Sequence, residues 1–455
     1  MAMADINDLR RLPIKPVVGS QVSVEDLTRD YRRMWGFCNA EGLYKWYVIH
    51  MQNPVYLKTS KFYTPTIKDV GSILMVECGG KPLFCTQHVI QFRQIQVPWN
   101  PRQMINLKCN NNMVGSLAGP QFTVLTYNLL ADVCATEEQY SNCPSFALKW
   151  EHRRENLLKE ILQGDVDIIC LQELQQNHFI DFFYPELAKH GYEGIFKEKQ
   201  REFYSPTVDG CATFYRRSQF DFWESQWINL GDLGQYSPRF QKDNIALYVI
   251  LSFKGTNQRL CIANTHIHAK QRNNDVKLWQ VWYLLKYLEA LVDNNYGAPL
   301  VLCGDFNSLP ESAPHSLLTK GFINPYHTEF LDYDNPNGAL QFTNMFSHSL
   351  SLKSAYSSYF ECDLSIEELV KKMSCETREP HFTTFVSNSK RKFEGTLDYI
   401  LYTQTNLKVE SLLELTDQEE VKDCALPSPE CSSDHIPLVT KFMYISPDEM
   451  VEECN

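Results

Sequence analysis

Two periodicities divide the chain. Between residues 17 and 97, apolar and polar positions alternate in short runs such as YKWYVIHM (44–51) and SILMVEC (72–78), with Pro, Gly and Asn between them. Alternation predicts strands, because successive side chains of a strand face opposite sides. A short helical pattern stands near 24–34, and the stretch 98–119, rich in Asn, Pro and Gly, has no period and reads as a linker. Beyond it, strand patterns alternate with amphipathic helices. Strands are expected at FTVLTYN (122–128), VDIICLQE (166–173), GCATFY (210–215), IALYVILSF (245–253), LCIANTHIH (260–268), LVLCGDFN (300–307), TLDYILY (396–402) and IPLVTKF (436–442). A helix is predicted over 151–163, with Leu157, Leu158, Ile161 and Leu162 on one face and Gly164 as its stop. A longer one begins with Asp275 as N-cap and aligns Leu278, Val281, Trp282, Leu285, Leu288 and Val292 on one face, which reads as core. No repeat of 20–50 residues is visible, and no leucine-rich repeat.

Composition narrows this little. The 455 residues suit two or three domains of ~150 residues or one large α/β domain. Hydrophobic content of 44% and charged content of 22% are those of a globular protein. A net charge of -12 argues against nonspecific binding of a phosphate backbone over the whole surface. It leaves room for an acidic site whose local field is reversed by divalent cations. The 15 cysteines include no Cys-x-x-Cys, and Cys170, Cys211, Cys261 and Cys303 stand in apolar runs, as buried small hydrophobes in a reducing compartment would. The start MAMADINDLRRLPIKP has no apolar core region, and no run approaches the ~18 residues that span a bilayer. A soluble, intracellular protein without a membrane segment is expected.

What changes the picture is how the strands end. Asn128, Glu173, His266, Asp305 with Asn307, Asp398, and Asp434 with His435 each stand where an apolar run stops. Alone, Asp305 and Asn307 in VLCGDFNSLP read as an Asx turn. Turn chemistry does not account for Glu173 or the two histidines. Functional groups collect at strand ends because a rigid sheet positions them. A rim of carboxylate, amide and imidazole suits Mg²⁺, which takes hard oxygen ligands, and the lack of thiolate clusters argues against zinc.

In order, YN (127–128), LQE (171–173), DGCATFY (209–215), NTH (264–266), GDFNSLP (304–310), LDYI (397–400) and SSDHIPL (432–438) resemble the endonuclease/exonuclease/phosphatase superfamily. The connecting text CPSFALKWEHRRENLLKEIL (143–162), DVKLWQ (275–280) and LLELTDQEEVKDCALPSPECSSDH (412–435) resembles the carbon-catabolite-repressor type of poly(A) deadenylase. SKFYTPTIKDVGSILMVEC (60–78) is similar to its plant-type members, which lack leucine-rich repeats. The resemblance implies two packed mixed sheets flanked by helices, over 120–445, behind a small β-rich domain over 1–97, of which an immunoglobulin-like sandwich is one form, with an acidic tail over 446–455. It implies Mg²⁺, with Mn²⁺ as a substitute, held by Glu173 with Asn128 beside it and Asp434 in the shell. Asp305 would activate water, Asn307 grip the scissile phosphate, His266 and His435 neutralise the phosphoryl oxygens, and Asp398 fix the His435 ring.

Phe393, in the loop KRKFEG, stands where relatives stack an aromatic on a base; packing on a sheet edge is the alternative. Lys390, Arg391 and Lys392 read either as a solvated charge run or as a phosphate-tracking rim. The chain departs from some relatives at HAKQRNND (268–275) and HFTTF (381–385), which bears on base selectivity. The implied activity is removal of poly(A) tails from RNA, from the 3' end with release of 5'-AMP, in the cytoplasm and as a second compartment the nucleus. Contact with other deadenylase-complex subunits is expected to be indirect. The rivals are another phosphatase or phosphodiesterase of the superfamily, acting on nucleotide, 2',5'- or cyclic-phosphate substrates, and a catalytically silent RNA-binding scaffold.

Overall fold

The computed structural model describes residues 11–12, 22–23, 44–50, 53–60, 62–63, 65–66, 69, 71–78 and 81–86, then 102–108, 119–200, 208–324, 326–330, 345–387, 392–418, 421 and 426–445. The helical pattern near 24–34, the tail 446–455, Lys390 and Arg391 lie outside the described residues. The chain forms two compact units, Met1–Asn100 with Glu137–Lys149, and Pro101–Thr136 with Trp150–Asn455.

In the first unit, β1 (Arg11–Leu12), β3 (Tyr44–His50), β4 (Asn53–Thr59), β6 (Ile73–Cys78) and β7 (Lys81–Thr86) make a sheet in the order β1-β7-β6-β3-β4. A second pair joins β2 (Val22–Ser23) to β5 (Phe62–Tyr63). Alternation along β3 buries Trp46 and Val48 beside their cross-strand partners Val76 and Leu74. The Trp46 indole N–H donates to Ser60 O at 2.9 Å, so its burial leaves no orphan donor. Pro54, which cannot donate to a ladder, stands in the edge strand β4, where that is tolerated.

The second unit carries two mixed sheets. One consists of β8 (Met104–Asn106), β9 (Gln121–Asn128), β10 (Ile168–Gln175), β11 (Tyr192–Glu198), β12 (Asp209–Arg216), β21 (Leu407–Leu413) and β22 (Leu438–Tyr444), ordered β11-β12-β10-β9-β22-β21-β8. The other consists of β13 (Phe220–Asn229), β14 (Ile245–Phe253), β15 (Arg259–His266), β16 (Leu300–Asp305), β17 (Leu352–Ser354) and β20 (Asp398–Thr403), ordered β13-β14-β15-β16-β20-β17. β18 (Thr384–Ser387) and β19 (Lys392–Gly395) form a separate hairpin. The pairs β9–β10 and β15–β16 are parallel, and their outer neighbours are antiparallel.

The strands are apolar on both faces, and this builds four layers. Phe122, Val124, Ile168 and Cys170 of one sheet pack with Ile262, Val301, Cys303 and Ile400 of the other. The alternate positions Leu125, Ile169 and Leu171 face Leu157 and Ile161 of the helix Trp150–Gln163. On the far side Cys261, Ala263, Leu300 and Leu302 face Leu278, Val281 and Leu285 of the helix Asn274–Asn294. Strands covered on both faces read in sequence as unbroken apolar runs. The helix–sheet–sheet–helix sandwich expected from the sequence is the observed fold.

Two expectations change. The long helix is capped by Asn273, and Asp275 sits in its first turn, where the free N–H groups favour a carboxylate and Arg239 pairs with it. Part of the expected linker is the edge strand β8, its Ile105 opposite Leu412 and packed on the inter-sheet core. A three-residue strand is too short to show a period. No helix among the described residues is long and apolar enough to cross a membrane.

The closest backbone approach beside the site falls at Gly304. It pairs with Thr265, its φ is 149°, and a Cβ there would lie 2.0 Å from Thr265 O. Gly255 has a φ of 75° with open space around it. Gly255→Ala is therefore expected to cost about 1–2 kcal/mol from backbone conformation alone, and Gly304→Ala about 3 kcal/mol or more because the strands must part. Urea denaturation checks this, and equal losses for the two variants would contradict it.

Candidate active site

The inter-sheet core turns polar at one end. Along β9 the inward row runs Phe122, Val124, Thr126, Asn128; along β10 it runs Ile168, Cys170, Gln172. β15 continues from Ile262 to Asn264 and His266, β16 from Cys303 to Asp305, and β20, running the other way, from Ile400 to Asp398. Register aligns these ends: Gln172 is opposite Asn128, His266 opposite Asp305, and Asp305 opposite Asp398. All six are buried. The period that builds the core thus delivers the polar side chains, and only residue type changes.

Glu173 has the wrong phase for this face. It enters through a left-handed backbone, φ 55°, at a register shift between Leu171 and Leu174. That conformation costs a non-glycine residue about 1–2 kcal/mol. The Ala131 N–H, donating to Glu173 Oε2 at 2.7 Å, and the Asn128 amide, donating to Oε1 at 3.1 Å, offset it. The same Asn128 Nδ2 donates to Asp305 Oδ2 at 3.0 Å, so one amide spaces two carboxylates. Its Oδ1 accepts from Leu130 N–H at 3.0 Å. Asn128 therefore turns its donor, not its oxygen, to the carboxylates.

Beneath lies a polar floor joining the sheets. Gln172 donates to Asn264 Oδ1 at 2.8 Å and to Thr126 Oγ1 at 3.1 Å, and Asn264 donates to Ala212 O at 2.8 Å. Above it, His266 Nε2 stands 3.6 Å from Asp305 Oδ2 and 4.0 Å from Glu173 Oε1. His435 Nδ1 lies 2.7 Å from Asp398 Oδ2, and its Nε2 3.8 Å from Asp305 Oδ2. Thr383 Oγ1 donates to Asp398 Oδ2 at 2.6 Å and fixes that carboxylate. Arg153, fully buried in the helix Trp150–Gln163, donates to the carbonyls of Leu129, Leu130 and Ser432, tying together the segments that follow Asn128 and precede His435.

Charge is unevenly shared. Burial works to raise Glu173, but His266, Lys199, the Ala131 N–H and Asn128 hold it down, at about 2. Burial and the Asp398 charge raise Asp305 above the usual carboxylate range, against His266, His435 and the Asn307 N–H. Burial alone would lower His435; Asp398, Asp434 and Asp305 hold it well above the ordinary histidine value. His266 is lowered by burial and by Lys199. Lys199 is itself locked to the buried Asp209 by an ion pair.

These groups fit a divalent cation. Ligand atoms of Asp305, Asp398 and His435 lie within 4.8 Å of one another. Asp398 Oδ1 is buried without a hydrogen-bond partner, as an oxygen awaiting a cation would be. The buried Asp305 and Asp398 and the partly buried Glu173, faced by amides and imidazoles, are the hard, anionic set Mg²⁺ or Mn²⁺ takes. Glu173 and Asp434 stand outside that trio. Asp434 is buried next to His435, and its backbone carbonyl accepts from Phe385 N–H.

Of the other expected residues, Asn307 is on the same rim. Its φ is 48°, its N–H donates to Asp305 Oδ1 at 2.8 Å, and its amide donates to Ile267 O at 2.9 Å. Phe393 lies in a strand rather than a loop, because residues 392–395 pair with 384–387 in the hairpin β18–β19. That hairpin touches the site through the bridge of Thr384 with His435. The Phe393 ring is half-buried; its edge and the Leu309 side chain flank Gly395, so the ring stands by the GDFNSLP segment. Lys392 is exposed. Sequence reasoning did not single out Gln172, Asn264, Lys199, Asp209, Thr383 or Arg153. A signal existed for the first two, polar residues inside the runs IICLQE and CIANTH. Lys199, before a stretch without period, carried none.

Residues 125–435 match the endonuclease/exonuclease/phosphatase family. Carbon catabolite repressor protein 4 homolog 1 of Arabidopsis thaliana is 40% identical over 428 residues, covering 84% of this chain and 69% of that protein. The CCR4-Not complex 3'-5'-exoribonuclease subunit Ccr4 of Saccharomyces cerevisiae is 31% identical over 421 residues, covering 86% of this chain and 47% of that one. Among solved structures, ANGEL2, a 2',3'-cyclic phosphatase, in complex with adenosine-2',3'-vanadate aligns with a TM-score of 0.59 at 27% identity, over 72% of this chain and 99% of that one. The human Nocturnin catalytic domain with bound sulfate aligns with a TM-score of 0.51 at 27% identity, over 75% and 97%. Fold, strand-end chemistry and kinship agree: the chain belongs to the endonuclease/exonuclease/phosphatase family, in its carbon-catabolite-repressor 4 branch.

Proposed function

We propose that this protein is a divalent-metal-dependent 3'-to-5' exoribonuclease that shortens poly(A) and releases 5'-AMP. The observation that carries this is the site itself, with Glu173, Asp305, Asn307, His266 and His435 on one rim in a chain whose yeast relatives are named 3'-5'-exoribonuclease subunits. Glu173, Asp305 and Asp398 would hold Mg²⁺, which when bound supplies neutralisation of the phosphate and a more acidic water. Asp305 takes the proton of the attacking water as the new P–O bond forms. The bond from phosphorus to the 3'-oxygen of the penultimate nucleotide breaks, and that oxygen takes a proton from solvent as it leaves. His435, held by Asp398, and His266 donate to the phosphoryl oxygens as charge develops there. Asn307 holds the phosphate with its second amide N–H.

The hairpin with Phe393 beside the GDFNSLP segment supports a stacked terminal base, and Lys392 a contact to the backbone phosphates. Stacking favours adenine runs at ~1 to 3 kcal/mol per base without a full hydrogen-bond code. Membership of a deadenylase complex and a place in the cytoplasm, and secondarily the nucleus, belong to this reading; the named CCR4-Not subunits among the relatives and the reduced-type cysteines support it. A second reading, hydrolysis of 2',3'-cyclic phosphate ends, is favoured by the likeness to ANGEL2.

Asp305→Ala and Glu173→Ala are each expected to lower turnover on the order of a hundredfold or more while the chain stays folded by circular dichroism. Activity should vanish with chelation, return with Mg²⁺ or Mn²⁺, and return poorly with Ca²⁺, whose looser shell does not hold a water in line. Wild-type rates in either variant, or in chelator, would refute the assignment.

Substrate choice is tested by following oligo(A), oligo(U) and oligo(C) tails, oligo(A) ending in 3'-phosphate or 2',3'-cyclic phosphate, and an inositol polyphosphate. Stepwise loss of AMP from 3'-hydroxyl oligo(A), fastest of the set, is expected. Faster opening of the cyclic phosphate would move the assignment to the second reading, and internal cuts before end trimming would exclude the exonuclease.

A further inference from the structure

The helix Asn274–Asn294 is built of core residues on its buried face except at two positions three apart, Lys277 and Gln280. Lys277 is 4% exposed and Gln280 fully buried, although Leu278, Val281, Leu284 and Leu285 already pack the helix on the sheet. Residues three apart share a helix face. Here both polar ends reach the catalytic loops. Lys277 Nζ donates to the main-chain oxygen of Asn307 at 2.6 Å. Gln280 Oε1 accepts from His268 N–H at 3.0 Å, and its Nε2 donates to Asn244 Oδ1 at 3.1 Å. Asn244 in turn donates to the carbonyl of His266 at 2.9 Å. The two loops are joined to each other, Asn307 to Ile267 O and Ile267 N–H to Asp305 O.

Burying an ammonium costs several kcal/mol, and a neutral carbonyl repays less of that than a carboxylate would. Apolar residues would seat this helix at lower cost, so packing does not account for the pair. What they hold does. Asn307 sits in a left-handed backbone, which a non-glycine residue keeps only where its surroundings hold it, and the bond from Lys277 to its carbonyl is one such hold. His266 lies at the last ladder position of β15, where no further strand pairing fixes the chain beyond it.

We propose that Lys277 and Gln280 are positioning residues: one turn of the long helix fixes the main chain of both catalytic loops, Lys277 setting Asn307 and Gln280 setting His266. This rests on the phosphodiesterase reading above for its kinetic consequence, though not for its structural one.

The test uses the full chain with Lys277→Met, Lys277→Arg and Gln280→Leu, by hydrogen exchange without substrate and by steady-state hydrolysis of oligo(A). Lys277→Met is expected to speed exchange within residues 303–310 by about tenfold, and Gln280→Leu within 264–270, leaving other segments unchanged. A misplaced group costs up to about a hundredfold in rate, so kcat should fall about 10- to 100-fold with KM within about threefold. Lys277→Arg, which keeps a donor, should restore both. If Lys277 acts through Asn307, then adding Lys277→Met to Asn307→Ala should lower kcat by no more than about twofold further. Unchanged exchange at both segments, no rescue by arginine, or an undiminished loss in the Asn307→Ala background would each overturn the proposal. Gln280→Leu tests it at an uncharged position, so a Lys277→Met chain that fails to fold does not shelter it. If no variant and no wild type hydrolyses oligo(A), the exchange data alone decide the positioning, and the substrate reading fails separately.

Discussion

Two carboxylates, Asp305 and Asp398, are held out of water at one end of the core between two sheets, with Glu173 partly buried at the same rim, and much of the second unit serves to make that tolerable. Each buried ion costs several kcal/mol unless it is paired or hydrogen-bonded. The structure answers with donors rather than with a matching set of cations: the Asn128 amide between Glu173 and Asp305, main-chain N–H groups of Ala131 and Asn307, and the Thr383 hydroxyl on Asp398. Lys199 stands off as half of an ion pair with Asp209, and His435 is shared between Asp398 and Asp305. The compensation is incomplete, with one oxygen of Asp398 and one nitrogen of His266 left without partners. A site of this kind is poised for a cation and a phosphate that complete it together.

The same constraint explains the strained positions. Glu173 and Asn307 both adopt left-handed backbones, and the first is of a type that rarely does. Strain at single residues persists where the surroundings over-determine it. Here the surroundings are a bulged strand, a floor of Gln172 and Asn264, and the buried Arg153 and Lys277 reaching in from helices on opposite outer layers. All four layers therefore contribute to one polar site, and the thick apolar sandwich is what makes the positions rigid.

Much of this was legible in the sequence, for a physical reason. Strands buried on both faces are unbroken apolar runs, so the central ones and their polar ends stand out; Asp305, His266, Asp398 and His435 meet where those ends predict. Among the strands that did not stand out, β11 and β13 lie at sheet edges, where exposed and mixed residues such as Trp223 and Glu224 blur the alternation. The phase of Glu173 was hidden because a bulge changes a side chain's face without changing its neighbours in sequence. Asn128 stands beside Glu173, and it turns its amide donor rather than its oxygen to the two carboxylates. Lys277 and Gln280 were masked by the leucines around them, since a helix face read for core hides polar residues that point past the core to its rim.

A divalent cation should complete the carboxylate site of Glu173, Asp305 and Asp398. Melting of the wild-type protein and of Asp305→Ala, in chelator and in saturating Mg²⁺, tests it without reference to any substrate. At a cation concentration of ~100 times Kd, binding adds about 2.7 kcal/mol, which for a unit of this size raises the wild-type midpoint by about 4 °C. Asp305→Ala should lose most of that rise. An identical midpoint with and without Mg²⁺ in the wild type, or an undiminished rise in Asp305→Ala, would contradict it.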